Sequence, residues 1–220
     1  MVFKDRREAG KLLARAIVER FNGTLKDPVV VAIPRGGVVV AEPIALQLSA
    51  PLELVIPRKV GAPFNPEFAV AAVTEDGTLI LNPDLSPDAL SRLGVTEEYL
   101  KRKALEEIEE IRRRKLLYTG GRRRIPLTGR DVILVDDGIA TGLTVKAAIA
   151  SLRRENPNRI ILAVPVMPLD RLEEFKGLVD DLVVLYAPEF FQAVGQFYED
   201  FSQTPDREVV EILERVNGGA

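Results

Sequence analysis

The chain predicts an α/β protein with a mainly parallel central sheet and helices on both faces. Two patterns predict it: short, continuously apolar strands, and segments of helical periodicity that alternate with them. Asp5 to Phe21 carries Ala9, Leu12, Leu13, Ala16, Ile17 and Phe21 at three-to-four spacing, a helix that Asn22-Gly23 ends. Val29 to Pro34 (VVVAIP) is an apolar strand, and Val38 to Leu48 is the next helix, with Pro43 fitting its first turn. Leu52 to Pro57 and Ala69 to Val73 read as strands, the second leading through Glu75-Asp76-Gly77 into Leu79-Ile80-Leu81 as a short hairpin. Ser86 to Leu93 is a short helix. Thr96 to Leu117 is a long one, with Thr96 as N-cap, acids in its first turn and Arg112 to Lys115 near its end. Its pairs Glu97 with Lys101, Glu98 with Arg102, Glu109 with Arg113 and Glu110 with Arg114 mark a solvated face, with Leu100, Ala104, Ile108 and Ile111 as the apolar stripe. Val132 to Val135 is a strand and Gly142 to Arg154 a helix. Arg159 to Val166, Asp170 to Phe175, Leu182 to Tyr186 and Glu208 to Val216 complete the alternation as strand, helix, strand and helix.

The 220 residues, 46% hydrophobic and 29% charged, suffice for a full core and are read as one domain, 1–220, with an appendage. The net charge of −3 argues against a general nucleic-acid binder. There is no Cys and no His, which excludes thiol nucleophiles, imidazole acid–base chemistry, disulfides and the usual zinc ligand sets. A metal, if used, would be a hard, oxygen-seeking ion such as Mg²⁺. The N-terminal stretch is charged and amphipathic without an apolar signal core, and no apolar run is long enough to span a membrane, so a cytoplasmic location is expected.

The most informative segment is Val132 to Thr144, VILVDDGIATGLT. Its apolar strand delivers Asp136 and Asp137 to the carboxyl edge of a sheet, where ligands of open α/β sheets bind. The turn that follows supplies backbone N–H groups, two hydroxyls and a helix N-terminus, which suit a phosphate. Acid pair and anion cradle side by side fit a ligand with both a diol and a phosphate, a ribose 5-phosphate. The plainer alternative is a buried strand and a capped helix with solvated acids, but two adjacent like charges gain nothing structurally from their repulsion.

This segment resembles the phosphoribosyl pyrophosphate (PRPP) signature of type I phosphoribosyltransferases, a hydrophobic strand, two acids and a T-G-x-T loop. The resemblance implies a Rossmann-like type I phosphoribosyltransferase fold, with residues 96–117 as an inserted long helix and 187–220 as a small C-terminal hood and helix. It implies a pentosyltransferase of nucleotide and nucleoside metabolism that moves ribose 5-phosphate from PRPP to a nitrogenous base with release of pyrophosphate. The alternative is a non-catalytic PRPP or nucleotide sensor. Asp136 and Asp137 would address the ribose hydroxyls, directly or through Mg²⁺, and Ala140, Thr141, Gly142, Leu143 and Thr144 would wrap the 5-phosphate. Members acting on hypoxanthine and guanine usually place an Asp where this chain has Ala140, and adenine-type members also have Ala there, so the acceptor stays unassigned. PRPP and a small acceptor are the implied partners, without nucleic acid or membrane. A homodimer matches many family members, while the sequence leaves assembly open.

Other segments fit the same resemblance. Arg35-Gly36-Gly37 follows the first strand, where the family's pyrophosphate loop lies; paired glycines permit close backbone approach and Arg35 adds a fixed charge, so Arg35 joins Asp136 and Asp137 as a catalytic candidate. Arg58 and Lys59 also follow a strand, where their mutual repulsion is relieved by an intervening anion or carboxylate, and the resemblance implies that they bind pyrophosphate oxygens, surface solvation being the alternative. Two stretches compete as the mobile loop over the site, Gly61 to Glu67 and Tyr118 to Arg122; Gly120 and Gly121 beside Arg122 favour the second. In the aromatic C-terminal stretch, Phe197, Tyr198 and Asp200 are candidates for holding a nitrogenous ring, the alternative being that the rings pack the hood.

Overall fold

The computed structural model describes residues 1–218, so positions 219–220 of the expected hood-and-helix region lie outside the described residues. The chain falls into two compact units. The first comprises Met1–Val55, Arg122–Thr141 and the chain from Leu152 onward; the second comprises Ile56–Gly121 and Gly142–Ser151.

The first unit is built on a five-stranded sheet of β1 (Val29–Ala32), β2 (Leu52–Leu54), β6 (Asp131–Val135), β7 (Arg159–Val166) and β8 (Asp181–Tyr186). The strands lie in the order β2-β1-β6-β7-β8, and every neighbouring pair is parallel. All residues of β1 and β6 are buried, as the apolar runs require of central parallel strands. Helices α1 (Arg6–Phe21), α2 (Gly36–Leu48), α6 (Leu172–Lys176) and α7 (Asp206–Asn217) pack on this sheet or on one another. Asp5 starts α1 by accepting a hydrogen bond from the Glu8 N–H at 2.8 Å, and Asn22 in the left-handed region ends it. Glu42, buried on α2, accepts from Arg7 of α1 at 2.6 Å and from Arg215 of α7 at 2.7 Å, which ties the three helices together. The C-terminal hood joins the N-terminus through backbone bonds from Phe3 to Phe197, Glu199 to Phe3 and Asp200 to Lys4, of 2.8, 2.8 and 2.9 Å. Beneath it Phe3, Ala9, Val166, Phe197 and Tyr198 form a buried apolar cluster.

The second unit has an antiparallel sheet of β3 (Arg58–Ala62), β4 (Asn65–Val73) and β5 (Leu79–Leu81), with β4 in the middle. It also contains α3 (Pro87–Arg92), the long α4 (Glu97–Thr119) and most of α5 (Leu143–Arg153). Its chain departs from the sequence expectation. The strand expected over Leu52 to Pro57 ends at Leu54, and residues 58–68 form most of a hairpin rather than a loop. Glycine and two prolines hide that hairpin, and its register shifts on either side of Gly61. Helix α4 starts on the expected cap, Thr96, whose hydroxyl accepts from the Tyr99 N–H at 3.0 Å, but runs two residues beyond Leu117. Of the expected α4 pairs, Glu97 with Lys101 and Glu110 with Arg114 form, whereas Arg113 turns to Glu110 and Arg102 to Glu106. Exposed pairs of this kind are screened by water and add little to the stability of the fold.

Candidate functional site

Because β1 and β6 are parallel neighbours with Ala32 beside Val135, their carboxyl ends finish together. The chain leaving β1 stays close, with the Ile33 N–H donating to the Val135 carbonyl at 3.0 Å, then passes a cis Pro34-Arg35 peptide and starts α2 at Gly36. Gly36 and Gly37 thereby abut Asp136 and Asp137. A β-carbon on Gly36 would lie 2.2 Å from Asp137 Oδ2 and 2.6 Å from Arg6 Nε, and one on Gly37 would lie 3.2 Å from Asp136 Oδ1. The paired glycines thus permit the close approach of the acid pair to the helix start.

The two acids are held differently. Asp136 Oδ1 accepts from the Asp137 backbone N–H at 2.8 Å. Asp137 Oδ2 accepts from Arg6 Nε at 2.8 Å, and the Asp137 carbonyl accepts from the Tyr198 hydroxyl at 2.6 Å. Burial, and then the neighbouring Asp137 charge, push the Asp136 carboxyl well above the usual carboxylate range. Burial raises Asp137 too, opposed by its hydrogen bond and ion pair with Arg6. The Tyr198 hydroxyl is pushed up by burial and by the Asp137 charge, so it remains a donor. Beyond the acids, the Ile139 N–H donates to the Val166 carbonyl at 3.0 Å, and Ala140 and Thr141 are exposed. There the first unit ends. Gly142, at φ +84°, makes the turn into α5, which Leu143 and Thr144 begin, and its carbonyl accepts from the Lys146 N–H at 2.9 Å.

The other expected residues are placed as follows. Arg35 stands at the start of α2, partly exposed, with its guanidinium 3.7 Å from Asp206. Arg58 and Lys59 open β3 in the second unit; Arg58 is engaged by Glu107, and Lys59 is exposed. Tyr118 departs from its expected place in a mobile loop: it is a buried residue in the last turn of α4, and Gly120, in the left-handed region, caps that helix. Arg122 lies 3.6 Å from the buried Glu53 in the first unit. The competing stretch, Gly61 to Glu67, spans the β3–β4 turn, where Phe64 is 94% exposed. Phe197 also departs from an acceptor platform, since its buried ring packs against Phe191 and Tyr186, at 5.3 and 5.8 Å between centroids. Tyr198 stacks on Phe201 at 5.0 Å, and Asp200 is exposed, accepting from the Ser202 N–H and hydroxyl at 3.0 and 2.7 Å. Arg6, which sequence reasoning missed, sits in the centre of this arrangement. Nothing local marks it, because its contacts reach across the chain to Asp137, Phe201 and Ser202.

Part-buried acids stand at the carboxyl edge of a parallel sheet, next to a glycine-opened helix, the edge at which open α/β sheets bind their ligands. A family model for the phosphoribosyl transferase domain matches residues 3–201, and the chain belongs to that family. Over 221 aligned residues it is 42% identical to a Mycobacterium tuberculosis protein, found in two strains and named as a candidate phosphoribosyl transferase. The match covers 98% of this chain and 47% of that protein, so the chain spans about half the length of the curated relatives it matches. The crystal structure of TT1426 from Thermus thermophilus is 43% identical and superimposes with a TM-score of 0.79, covering 98% of this chain and 99% of that one. A purine phosphoribosyltransferase from Pyrococcus horikoshii, 14% identical with a TM-score of 0.50 over 93% and 95% of the two chains, shares the fold.

Proposed function

We propose that this protein transfers the ribose 5-phosphate of PRPP to a nitrogenous base with release of pyrophosphate. The observation that carries the reading is the acid pair Asp136-Asp137, set against Gly36-Gly37 at the joined ends of β6 and β1 and followed in the chain by the A-T-G-L-T turn. In the proposed complex Asp136 and Asp137 accept from the ribose 2′- and 3′-hydroxyls. The loop Ala140 to Thr144 wraps the 5-phosphate, and Arg35 with the Gly36 and Gly37 backbone meets pyrophosphate. Leaving-group departure gives the ribose oxocarbenium character, so the work asked of the protein is alignment and charge placement rather than covalent chemistry.

Mg²⁺ is part of the proposal. Among the described residues no group of three or more acidic side chains is placed to hold a metal ion by itself. Two adjacent carboxylates, both raised by burial and Asp136 also by the Asp137 charge, fit an ion that arrives with its own phosphate oxygens. Bound there, Mg²⁺ would offset the charge of the departing pyrophosphate.

A second reading, a PRPP or nucleotide sensor without turnover, draws on the hood, where Phe197 is packed into the core and Phe201 is already engaged by Tyr198 and by the Arg6 guanidinium. No helix of the described residues is long and apolar enough to cross a membrane. A cytoplasmic location and, as in many family members, a homodimer are part of the proposal, on the family resemblance. The discriminating experiment is pyrophosphate release with PRPP, Mg²⁺ and adenine, guanine, hypoxanthine, xanthine, uracil or orotate. Base-dependent release supports transfer, and saturable PRPP binding without release from any base supports the sensor.

A further inference from the structure

We propose that Arg6 is a positioning residue for the ribose site, fixing the Asp137 carboxylate in the orientation that meets the diol; this rests on the reading of Asp136-Asp137 as the ribose contacts. Arg6 is the first residue of α1, remote in sequence from the signature, yet its side chain is only 12% exposed. Nε donates to Asp137 Oδ2 at 2.8 Å and Nη1 to the Ser202 carbonyl at 2.7 Å. The guanidinium carbon lies 4.0 Å from the Phe201 ring centroid. The two hydrogen bonds fix the guanidinium within its plane, and the ring fixes its tilt. Tyr198 closes the circuit, stacking on the same Phe201 and donating its hydroxyl to the Asp137 carbonyl. Both the side chain and the backbone of Asp137 are therefore anchored to the hood.

The arrangement has a chemical purpose beyond packing. Two adjacent carboxylates repel, and a carboxylate left to rotate would present its oxygens to a diol in many orientations. One oxygen of Asp137 is committed to Arg6, which directs the other away from it. Gly36 leaves the room this pairing needs, since a β-carbon there would collide with both partners. Lysine could supply the charge but neither the planar stack nor the second, divergent donor to Ser202.

The test is calorimetric titration of the wild type, Arg6→Gln, Arg6→Lys, Asp137→Asn and the Arg6→Gln/Asp137→Asn double variant, each with Mg-PRPP and separately with metal-free pyrophosphate, which does not engage the carboxylate pair through an ion. For Arg6→Gln, PRPP affinity is expected to fall roughly ten- to a hundredfold, the loss of one charge-assisted hydrogen bond, while pyrophosphate affinity stays within about twofold. Arg6→Lys is expected between the two, and the double variant no more than about twofold weaker than Asp137→Asn alone, because the residues act as a unit. The assignment is overturned if both Arg6 variants bind PRPP like the wild type, if they lose PRPP and pyrophosphate alike, or if the double variant shows the full sum of the single losses. Arg6→Lys decides the matter if Arg6→Gln does not fold. A wild-type protein that binds metal-free pyrophosphate but not Mg-PRPP overturns the ribose reading itself and this assignment with it, a result separate from any variant comparison.

Discussion

Gly36→Ala tests whether the contact between the glycine pair and the acids matters. In the first turn of an ordinary helix, Gly→Ala would stabilise the protein by about 0.4–1 kcal/mol through the unfolded chain. Here the added carbon would stand 2.2 Å from Asp137 Oδ2, 2.6 Å from Arg6 Nε and 3.0 Å from the Asp137 carboxyl carbon. Arg6 is held by Ser202 and Phe201 and the Asp137 backbone by Tyr198, so the least costly response is to swing the Asp137 carboxylate and break the Arg6 bond. A hydrogen bond between charged groups contributes about 1.5–3 kcal/mol, so PRPP affinity should fall roughly 10- to 150-fold. Set against the backbone gain, the net stability loss is about 1–2 kcal/mol, or roughly 2–8 °C in Tm for a chain of this size. Calorimetry with Mg-PRPP and a thermal melt read both quantities. An alanine variant that melts at or above the wild type and binds PRPP within twofold of it would refute the reasoning.

Three further outcomes are expected. Asp136→Asn should raise Tm at pH 7 in metal-free buffer while abolishing PRPP binding: burial and Asp137 raise the Asp136 carboxyl, so folding is favoured while it is protonated and disfavoured as pH rises through its folded value. A lower Tm, or a gain that persists unchanged at acid pH, would contradict this. Glu42 goes the other way: burial raises it, but hydrogen bonds from Arg215 and Arg7 outweigh that and hold it below its usual 4.5, so its contribution is present above that pH and lost as pH falls through the lower folded value. Glu42→Gln should therefore lower Tm at pH 7 and flatten the decline below pH 4.5, as melts across an acid pH series would show. Tyr198→Phe removes the 2.6 Å hydrogen bond to the Asp137 carbonyl and keeps the ring, so PRPP affinity should fall about two- to tenfold and Tm by roughly 1–6 °C; equal affinity would show that the hood does not position Asp137.

What the sequence disclosed depended on the range of the interactions. The strand Val132 to Val135 was legible because an apolar run ending in two acids has little other explanation, and Thr96 and Asn22 marked helix ends by local bonding. Strand β3 was not legible. Arg58, Lys59, Gly61, Pro63 and Pro66 look like a loop one residue at a time, and only pairing with β4 makes them a hairpin. Tyr118 was misplaced because Gly120 and Gly121 suggest a hinge, whereas Gly120 in fact caps α4. Glycines at 36 and 37 pointed to close approach, but not that the approach is to the acids themselves. Arg6 was beyond reach because its partners lie far along the chain, at Asp137, Phe201 and Ser202. Phe197 and Tyr198 show the limit of composition: aromatic clustering located the hood, and only packing distinguished a core ring from one that holds Asp137.

The central claim, that Asp136 and Asp137 form the ribose contact of a PRPP site, is tested most directly by titrating Mg-PRPP calorimetrically into the wild type and into Asp136→Asn/Asp137→Asn. Saturable wild-type binding, weakened at least about a hundredfold in the double variant while that variant still folds, is the predicted result. Absence of saturable binding to the wild type, or equal binding to the double variant, would contradict it.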